Sequence, residues 1–231
     1  MKIYGLQKMT LLDFPGKVAC TVFTGGCDLR CVFCHNYELA TGKAEPYCGE
    51  EEFFSFLEKR RGLIDGVAVT GGEPCLQKDL PEFLKKVRAL GFSTKLDTNG
   101  FHPEMLKRIV DEKLADYIAV DVKNSPEKYA ATCGLEKIDL APLFESLAIL
   151  KDSGAEYELR TTVVDQLHDE EDVKKIGEMI RGTKFWFIQC FADRDTVPFA
   201  ELSAPPREKL KRFLDIARGY VPGAELRGAE L

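Results

Sequence analysis

The sequence predicts an α/β fold in which parallel strands alternate with helices. Three observations carry this. Short apolar runs recur along the chain, and each is followed by an amphipathic segment of helical period. Six such strand–helix units follow one another. Joined in series, they call for right-handed crossovers and parallel strands. A complete eight-unit barrel needs about 250 residues, whereas this chain has 231. Six units therefore form an incomplete barrel or an open doubly wound sheet, and both place their sites at the carboxyl ends of the strands.

Each element has its own signal. Val18-Ala19-Cys20-Thr21-Val22-Phe23 is the first strand, rich in β-branched and aromatic residues. Residues 50–60 carry Phe53, Phe54 and Leu57 at helical spacing. Residues 66–70 form a strand, and 80–90 a helix with Phe83, Leu84, Val87 and Leu90 on one side. The third strand is 92–96, followed by a helix over 103–113 whose Pro103 suits a first turn. Residues 117–120 are the fourth strand, and 124–150 should be helical in two pieces, with Pro142 opening the second. A fifth strand at 156–164, a helix at 170–181, a sixth strand at 185–189 and a helix at 206–218 complete the pattern, with a short terminal strand at 224–227. No repeat or linker divides the chain. Residues 1–231 read as one domain, with 1–17 as an N-terminal extension and 25–36 as a cysteine-bearing loop.

Composition narrows the function. With 45% hydrophobic and 30% charged residues, the chain resembles ordinary globular proteins and can bury a core without disulfides. A net charge of −6 argues against a nucleic-acid partner held through phosphates. No apolar run reaches the roughly 18 residues of a membrane span, and the N-terminus lacks a signal-peptide core. A cytoplasmic, reducing location with no membrane partner is the expectation.

Of the eight cysteines, Cys27, Cys31 and Cys34 cluster, while Cys20, Cys48, Cys75, Cys133 and Cys190 scatter and read as small buried hydrophobes. Iron–sulfur cubanes are usually held by four thiolates, so three at this spacing can wrap a cubane and leave one iron open for a ligand. Cys31-Val32-Phe33-Cys34-His35 also spells the haem c attachment pattern, which requires export. A zinc site from the three cysteines and His35 is conceivable, although adjacent Cys34 and His35 converge poorly on one ion.

Three further motifs follow strands. Thr70-Gly71-Gly72-Glu73-Pro74 combines glycines that let a ligand approach the backbone with Glu73, an acceptor for an ammonium group, or is simply a turn. Leu96-Asp97-Thr98-Asn99-Gly100 and Val120-Asp121-Val122-Lys123 put two carboxylates into the same strand-end space, where they could hold a cation or a sugar hydroxyl. Lys123 and Arg160 could meet a carboxylate there, or each could merely pair with a neighbour. His102 and His168 sit at helix starts and read as surface residues, so no nucleophile–base triad stands out.

Together these residues resemble the radical S-adenosylmethionine superfamily: Cys27-x3-Cys31-x2-Cys34 with Phe33, and Gly71-Gly72-Glu73-Pro74. Residues 6–17, Cys34-His35-Asn36, the Asp97-Thr98-Asn99-Gly100 segment and Asp121-Val122-Lys123 are similar to glycyl-radical-enzyme activases. The likeness is strongest to the anaerobic ribonucleoside-triphosphate reductase activating type. The resemblance implies a partial (βα)6 barrel and one [4Fe-4S] cluster on Cys27, Cys31 and Cys34. It also implies S-adenosylmethionine at Phe33, Gly71, Gly72, Glu73, Asp97, Thr98, Asp121 and Lys123, to which the position of Arg160 on the fifth strand adds a further candidate. A monovalent cation at Asp97, Thr98, Asp121 and the Val120 carbonyl is implied too. The activity implied is reductive cleavage of S-adenosylmethionine to a 5′-deoxyadenosyl radical, which takes hydrogen from a glycine of a partner, here anaerobic ribonucleotide reductase. Flavodoxin or ferredoxin would supply the electron. A 7-carboxy-7-deazaguanine synthase is the alternative enzyme, and a non-catalytic iron–sulfur or zinc protein the alternative of another class.

Overall fold

The computed structural model describes residues 1–199 and 201–228. Its strands are Gly5–Thr10 (β1), Ala19–Thr24 (β2), Gly66–Gly71 (β3), Ser93–Thr98 (β4), Tyr117–Asp121 (β5), Tyr157–Val163 (β6), Trp186–Cys190 (β7) and Ala224–Arg227 (β8). Its helices are Tyr37–Ala40 (α1), Glu50–Glu58 (α2), Leu80–Ala89 (α3), Pro103–Asp111 (α4), Pro126–Thr132 (α5), Ala141–Ser153 (α6), Glu170–Met179 (α7) and Arg207–Arg218 (α8). All eight strands form one sheet in sequence order, and β2 to β8 run parallel. A doubly wound sheet reverses its strand order at a switch point. This sheet never does, which selects the incomplete barrel. Among the described residues β1 and β8 do not pair, so the barrel stays open between them.

The sequence reading missed β1. It pairs antiparallel with β2 through a register shift between Gln7 and Thr10. Most of its side chains are partly or fully exposed, so the alternation that betrays a half-buried strand is absent. The extension also closes the barrel floor. Asp13 accepts a hydrogen bond from Thr21 Oγ1, and buried Phe14 packs on Tyr117 with ring centroids 6.4 Å apart. A Cβ on Gly66 would come within 3.0 Å of Phe14, so glycine is required there.

The two faces of the sheet differ in kind. Leu96, Ile118, Val120, Leu159, Trp186 and Ile188 are buried in the main apolar core. That core includes Phe83 and Leu84 of α3, Ile109 of α4, Ile176 of α7 and Phe213 of α8. The alternate residues face the barrel interior and are charged: Lys95 and Asp97 on β4, Asp121 on β5, Glu158 and Arg160 on β6, Arg227 on β8. Glu158 is fully buried. It accepts from Tyr117 at 2.8 Å and from both Arg227 nitrogens at 2.8 and 2.9 Å.

His168 is not a surface residue; it is only 2% exposed. Its Nδ1 accepts from the Val164 N–H at 3.1 Å, and its Nε2 lies 2.9 Å from the Lys123 carbonyl. The imidazole thus ties the end of β6 to the end of β5, and burial pushes its pKa below the ordinary value. His102, at the start of α4, is half-buried against Asp28. Of the scattered cysteines, Cys20, Cys48, Cys75 and Cys133 are buried and Cys190 is half-buried. No helix among the described residues is long and apolar enough to cross a membrane.

Candidate functional site

The loop after β2 rises over the carboxyl ends of β2 and β3. Gly26 adopts a left-handed φ of +81°, and its carbonyl accepts from the Glu73 N–H at 2.8 Å. Arg30 donates to the carbonyls of Cys27 and Leu29 at 2.5 and 2.8 Å, folding the loop back on itself. The end of α5 holds the other side: Arg30 N–H donates to the Cys133 carbonyl at 2.9 Å, and Val32 N–H to Thr132 at 3.2 Å. Cys27, Cys31 and Cys34 line one cavity together with Gly71, Gly72, Glu73, Asp97, Thr98, Asp121 and Lys123. Four motifs far apart in the chain therefore meet at one place.

The three thiols differ electrostatically. Burial pushes Cys27 up to about 12, against a hydrogen bond from the Leu29 N–H. Cys31 is lowered by the Cys133 thiol bonded to it, with the charge of Lys123 helping against burial. Burial also raises Cys34. Metal ligation needs thiolates, so loading such a site releases protons. His35 also lines the cavity, but its ring is engaged by other partners: it stacks on Phe191 with centroids 5.6 Å apart, and Nε2 lies 2.7 Å from the Ala192 carbonyl. A zinc ion sharing His35 is thereby disfavoured. Among the described residues no three His, Cys, Asp or Glu side chains converge as the shell of a single ion. Three thiols lining one cavity fit a cubane, in which each thiolate meets a different iron rather than sharing one ion.

Glu73 is 1% exposed. Oε1 accepts from Cys75 N–H at 2.9 Å and Thr98 Oγ1 at 2.7 Å, while Oε2 accepts from Asn99 N–H at 2.7 Å. The side chain therefore clamps the ends of β3 and β4 together. Burial raises its pKa, partly offset by those bonds. Beside it, Gly71 takes φ +111°, and a Cβ there would meet Thr24 N at 2.5 Å. A Cβ on Gly72 would meet the Gly26 carbonyl oxygen at 2.0 Å.

The two aspartates form a charge ladder. Asp97 accepts from Lys95 and, at 3.0 Å, from Arg160. Asp121 accepts from Arg160 Nε and from Lys123 Nζ, each at 2.8 Å. Burial opposes ionisation of Asp121, but Arg160 and Lys123 outweigh it and hold the carboxyl well below the usual range. Asp97 is lowered in the same way, by Arg160 and Lys95. Arg160 lies beneath the cavity and is not among its lining residues, so it acts through the aspartates. Phe33 lines the cavity and packs on Val164 and Phe191 in a small separate cluster.

The sequence reading does not single out Lys95 or Thr162, and it places Asn36 and Asn99 in motifs without giving either a role at the site. Lys95 is 2% exposed. Lys95 and Thr162 sit two residues from Asp97 and Arg160, so the period of two would have found both. Asn36 Nδ2 donates to the Gly71 carbonyl at 3.2 Å, joining loop to strand.

The comparisons agree with this geometry. The family model for the radical SAM superfamily matches residues 21–180. A Methanocaldococcus jannaschii protein named for glycyl-radical enzyme activation is 30% identical, with 97% of this chain and 95% of the relative aligned. The pyruvate formate-lyase-activating enzyme of Listeria monocytogenes is 31% identical over 78% of this chain and 76% of its own. A 7-carboxy-7-deazaguanine synthase of Thermococcus kodakarensis is 31% identical over 71% and 70%. Streptococcus suis SuiB, solved with S-adenosylmethionine, superposes with a TM-score of 0.68 at 14% identity, over 90% of this chain and 49% of that one. This last likeness is one of fold. With the cysteine loop, the strand-end motifs and the open barrel in place, the chain belongs to the radical SAM superfamily, as an enzyme of the glycyl-radical-enzyme activating type.

Proposed function

We propose that this activase serves an anaerobic ribonucleotide reductase, with one [4Fe-4S] cluster on Cys27, Cys31 and Cys34 and an electron from flavodoxin or ferredoxin. The observation that carries the reading is the convergence of the cysteine loop with Glu73, Asp97, Thr98, Asp121 and Lys123 on one cavity. When bound, the cluster and S-adenosylmethionine supply the radical chemistry; the protein supplies binding, orientation and exclusion of water. Gly71 and Gly72 keep the cavity wall at backbone height, so an amino acid moiety can lie against it. Glu73 holds that wall to β4 and presents its remaining acceptor capacity to an ammonium group. Lys123 offers a cation for a carboxylate, and Arg160 with Lys95 keeps Asp97 and Asp121 ionised and fixed. A monovalent cation at Asp97, Thr98 and Asp121 would share carboxylate oxygens that already accept from these side chains, and a Thr98 hydroxyl that donates to Glu73 and accepts from the Gly100 N–H. Phe33, held by Val164 and Phe191, gives an apolar surface for a base.

The test is anaerobic incubation of reconstituted, reduced protein with S-adenosylmethionine and a candidate reductase. Electron paramagnetic resonance should show a glycyl doublet that collapses to a single line when the reductase glycine is deuterated at its α carbon. Transfer to pyruvate formate-lyase but not to the reductase would reassign the partner. The likeness to 7-carboxy-7-deazaguanine synthase supports a second reading, on a small molecule. Turnover of a pterin with no protein radical would select it.

A further inference from the structure

Asn99 follows the two β4 residues already placed at the cavity. It is buried, and it touches both neighbouring motifs. Its N–H donates to Glu73 Oε2 at 2.7 Å, and its side-chain Nδ2 donates to Asp28 Oδ1 at 2.8 Å. The same Nδ2 stands 4.0 Å from Cys27 Sγ. The amide orientation follows from its partners, which is how such flips are assigned. Oδ1 accepts from the Phe101 N–H at 2.9 Å, and the carboxylate opposite Nδ2 can only accept. The nitrogen must therefore face Asp28 and Cys27.

Asp28 needs such a partner. Its carboxylate adjoins a cluster cysteine, with Oδ1 only 3.8 Å from Cys27 Sγ. Left free, a carboxylate there would repel thiolate charge. Instead Asn99 holds one oxygen and His102 Nε2 lies 3.1 Å from the other. Cys27 Sγ also receives the Leu29 N–H at 3.4 Å, so N–H groups approach this sulfur from its own loop and from the residue that follows β4.

We propose that Asn99 is a positioning residue for the cluster: its amide fixes Asp28 and aims an N–H at the sulfur of Cys27, setting the electron affinity of a cluster held there. Hydrogen bonds to ligand sulfurs stabilise the more negative, reduced state and raise the potential. Chain residues outside the ligand set therefore help decide how easily the cluster takes its electron. This rests on the cluster reading above, and the two fail differently. If the wild-type protein assembles no [4Fe-4S] cluster, that reading falls.

The experiment is a redox titration of the reconstituted cluster without S-adenosylmethionine, followed by its reduced-state resonance, in wild type, Asn99→Ala and Asp28→Ala. Asn99→Ala should lower the potential, so that the reduced fraction at the wild-type midpoint falls several-fold. Electron–nuclear double resonance on protein labelled with 15N only at the asparagine side-chain amide should show a coupling in wild type. This keeps the Asn36 backbone N–H beside Cys34 silent, and the Asn36 side chain is turned to the Gly71 carbonyl. The coupling should vanish in Asn99→Ala and persist in Asp28→Ala, where Phe101 and Glu73 still hold Asn99. Should Asn99→Ala fail to assemble a cluster, the wild-type coupling alone decides. A cluster with an unchanged potential in Asn99→Ala, or no asparagine coupling in wild type, overturns the proposal.

Discussion

Replacing Gly72 by alanine tests the contact on which the site is built. The added Cβ would lie 2.0 Å from the Gly26 carbonyl oxygen and 2.8 Å from its carbon. Real contacts do not fall below 3.0 Å, so loop and strand must part by about 1 Å. Both obstructing atoms are backbone, so no rotamer change relieves the clash. The separation strains two hydrogen bonds, Gly72 N–H to Thr24 O and Glu73 N–H to Gly26 O, each 2.8 Å. Losing two such bonds costs about 2 kcal/mol net, and overpacking adds about 1–3 kcal/mol. The sum, about 3–5 kcal/mol, is a large part of a typical stability of about 5–15 kcal/mol. Anaerobic urea unfolding of the metal-free variant measures it. Gly42→Ala is the control: Gly42 has φ +72° and nothing within 4 Å, so only backbone strain of about 1 kcal/mol applies. A Gly72→Ala midpoint displaced no further than that of the control would refute the reasoning.

Arg160→Met leaves Asp97 and Asp121 facing each other with only Lys95 and Lys123 as cationic partners. It should cost about 3 kcal/mol in urea unfolding, near the low end for breaking a buried pair, and raise the KM for S-adenosylmethionine. An unchanged KM would detach the ladder from the site. His168 has its pKa lowered by burial, so the unfolded chain binds the proton more readily. Its contribution is complete above the unfolded value of 6.5 and is lost as pH falls below it, by at most about 1.4 kcal/mol per pH unit. Wild type should therefore lose more stability between pH 6.5 and 5.5 than His168→Gln does, by calorimetry; parallel losses contradict this. If a monovalent cation joins Asp97, Thr98 and Asp121, replacing potassium and sodium by choline should slow S-adenosylmethionine cleavage several-fold. Equal rates would leave Arg160, Lys95 and Lys123 as the only cations needed.

Much of the site was legible because its chemistry sits in short local motifs. Cys27, Cys31 and Cys34, Gly71-Gly72-Glu73 and Asp97-Thr98 each follow a recognisable strand, and the topology does the rest. What stayed hidden depends on distant partners. His168 looked like a surface residue at a helix start, because nothing nearby in sequence shows that the Lys123 carbonyl will meet its ring. Asn99 looked like a turn residue until the cysteine loop folded over it. Edge strand β1 lacks a buried face and so lacks a pattern. Phe14 belongs to a stretch read as a mark of function, and the structure places it at the barrel floor, at the opposite end of the strands from the cysteines.

The charged inner wall has a consequence for how the enzyme meets salt. Lys95, Asp97, Arg160, Asp121 and Lys123 are oriented by one another inside the barrel, so bulk salt weakens their pairing little. Salt screens exposed charges over about 10 Å at 0.1 M, and buried pairs far less. Affinity for a small amino-acid ligand inside the barrel should therefore be nearly indifferent to ionic strength. Docking of a large protein on the outer rim should not be. Raising the salt concentration would then separate the two encounters, stripping the partner away while the small molecule stays bound.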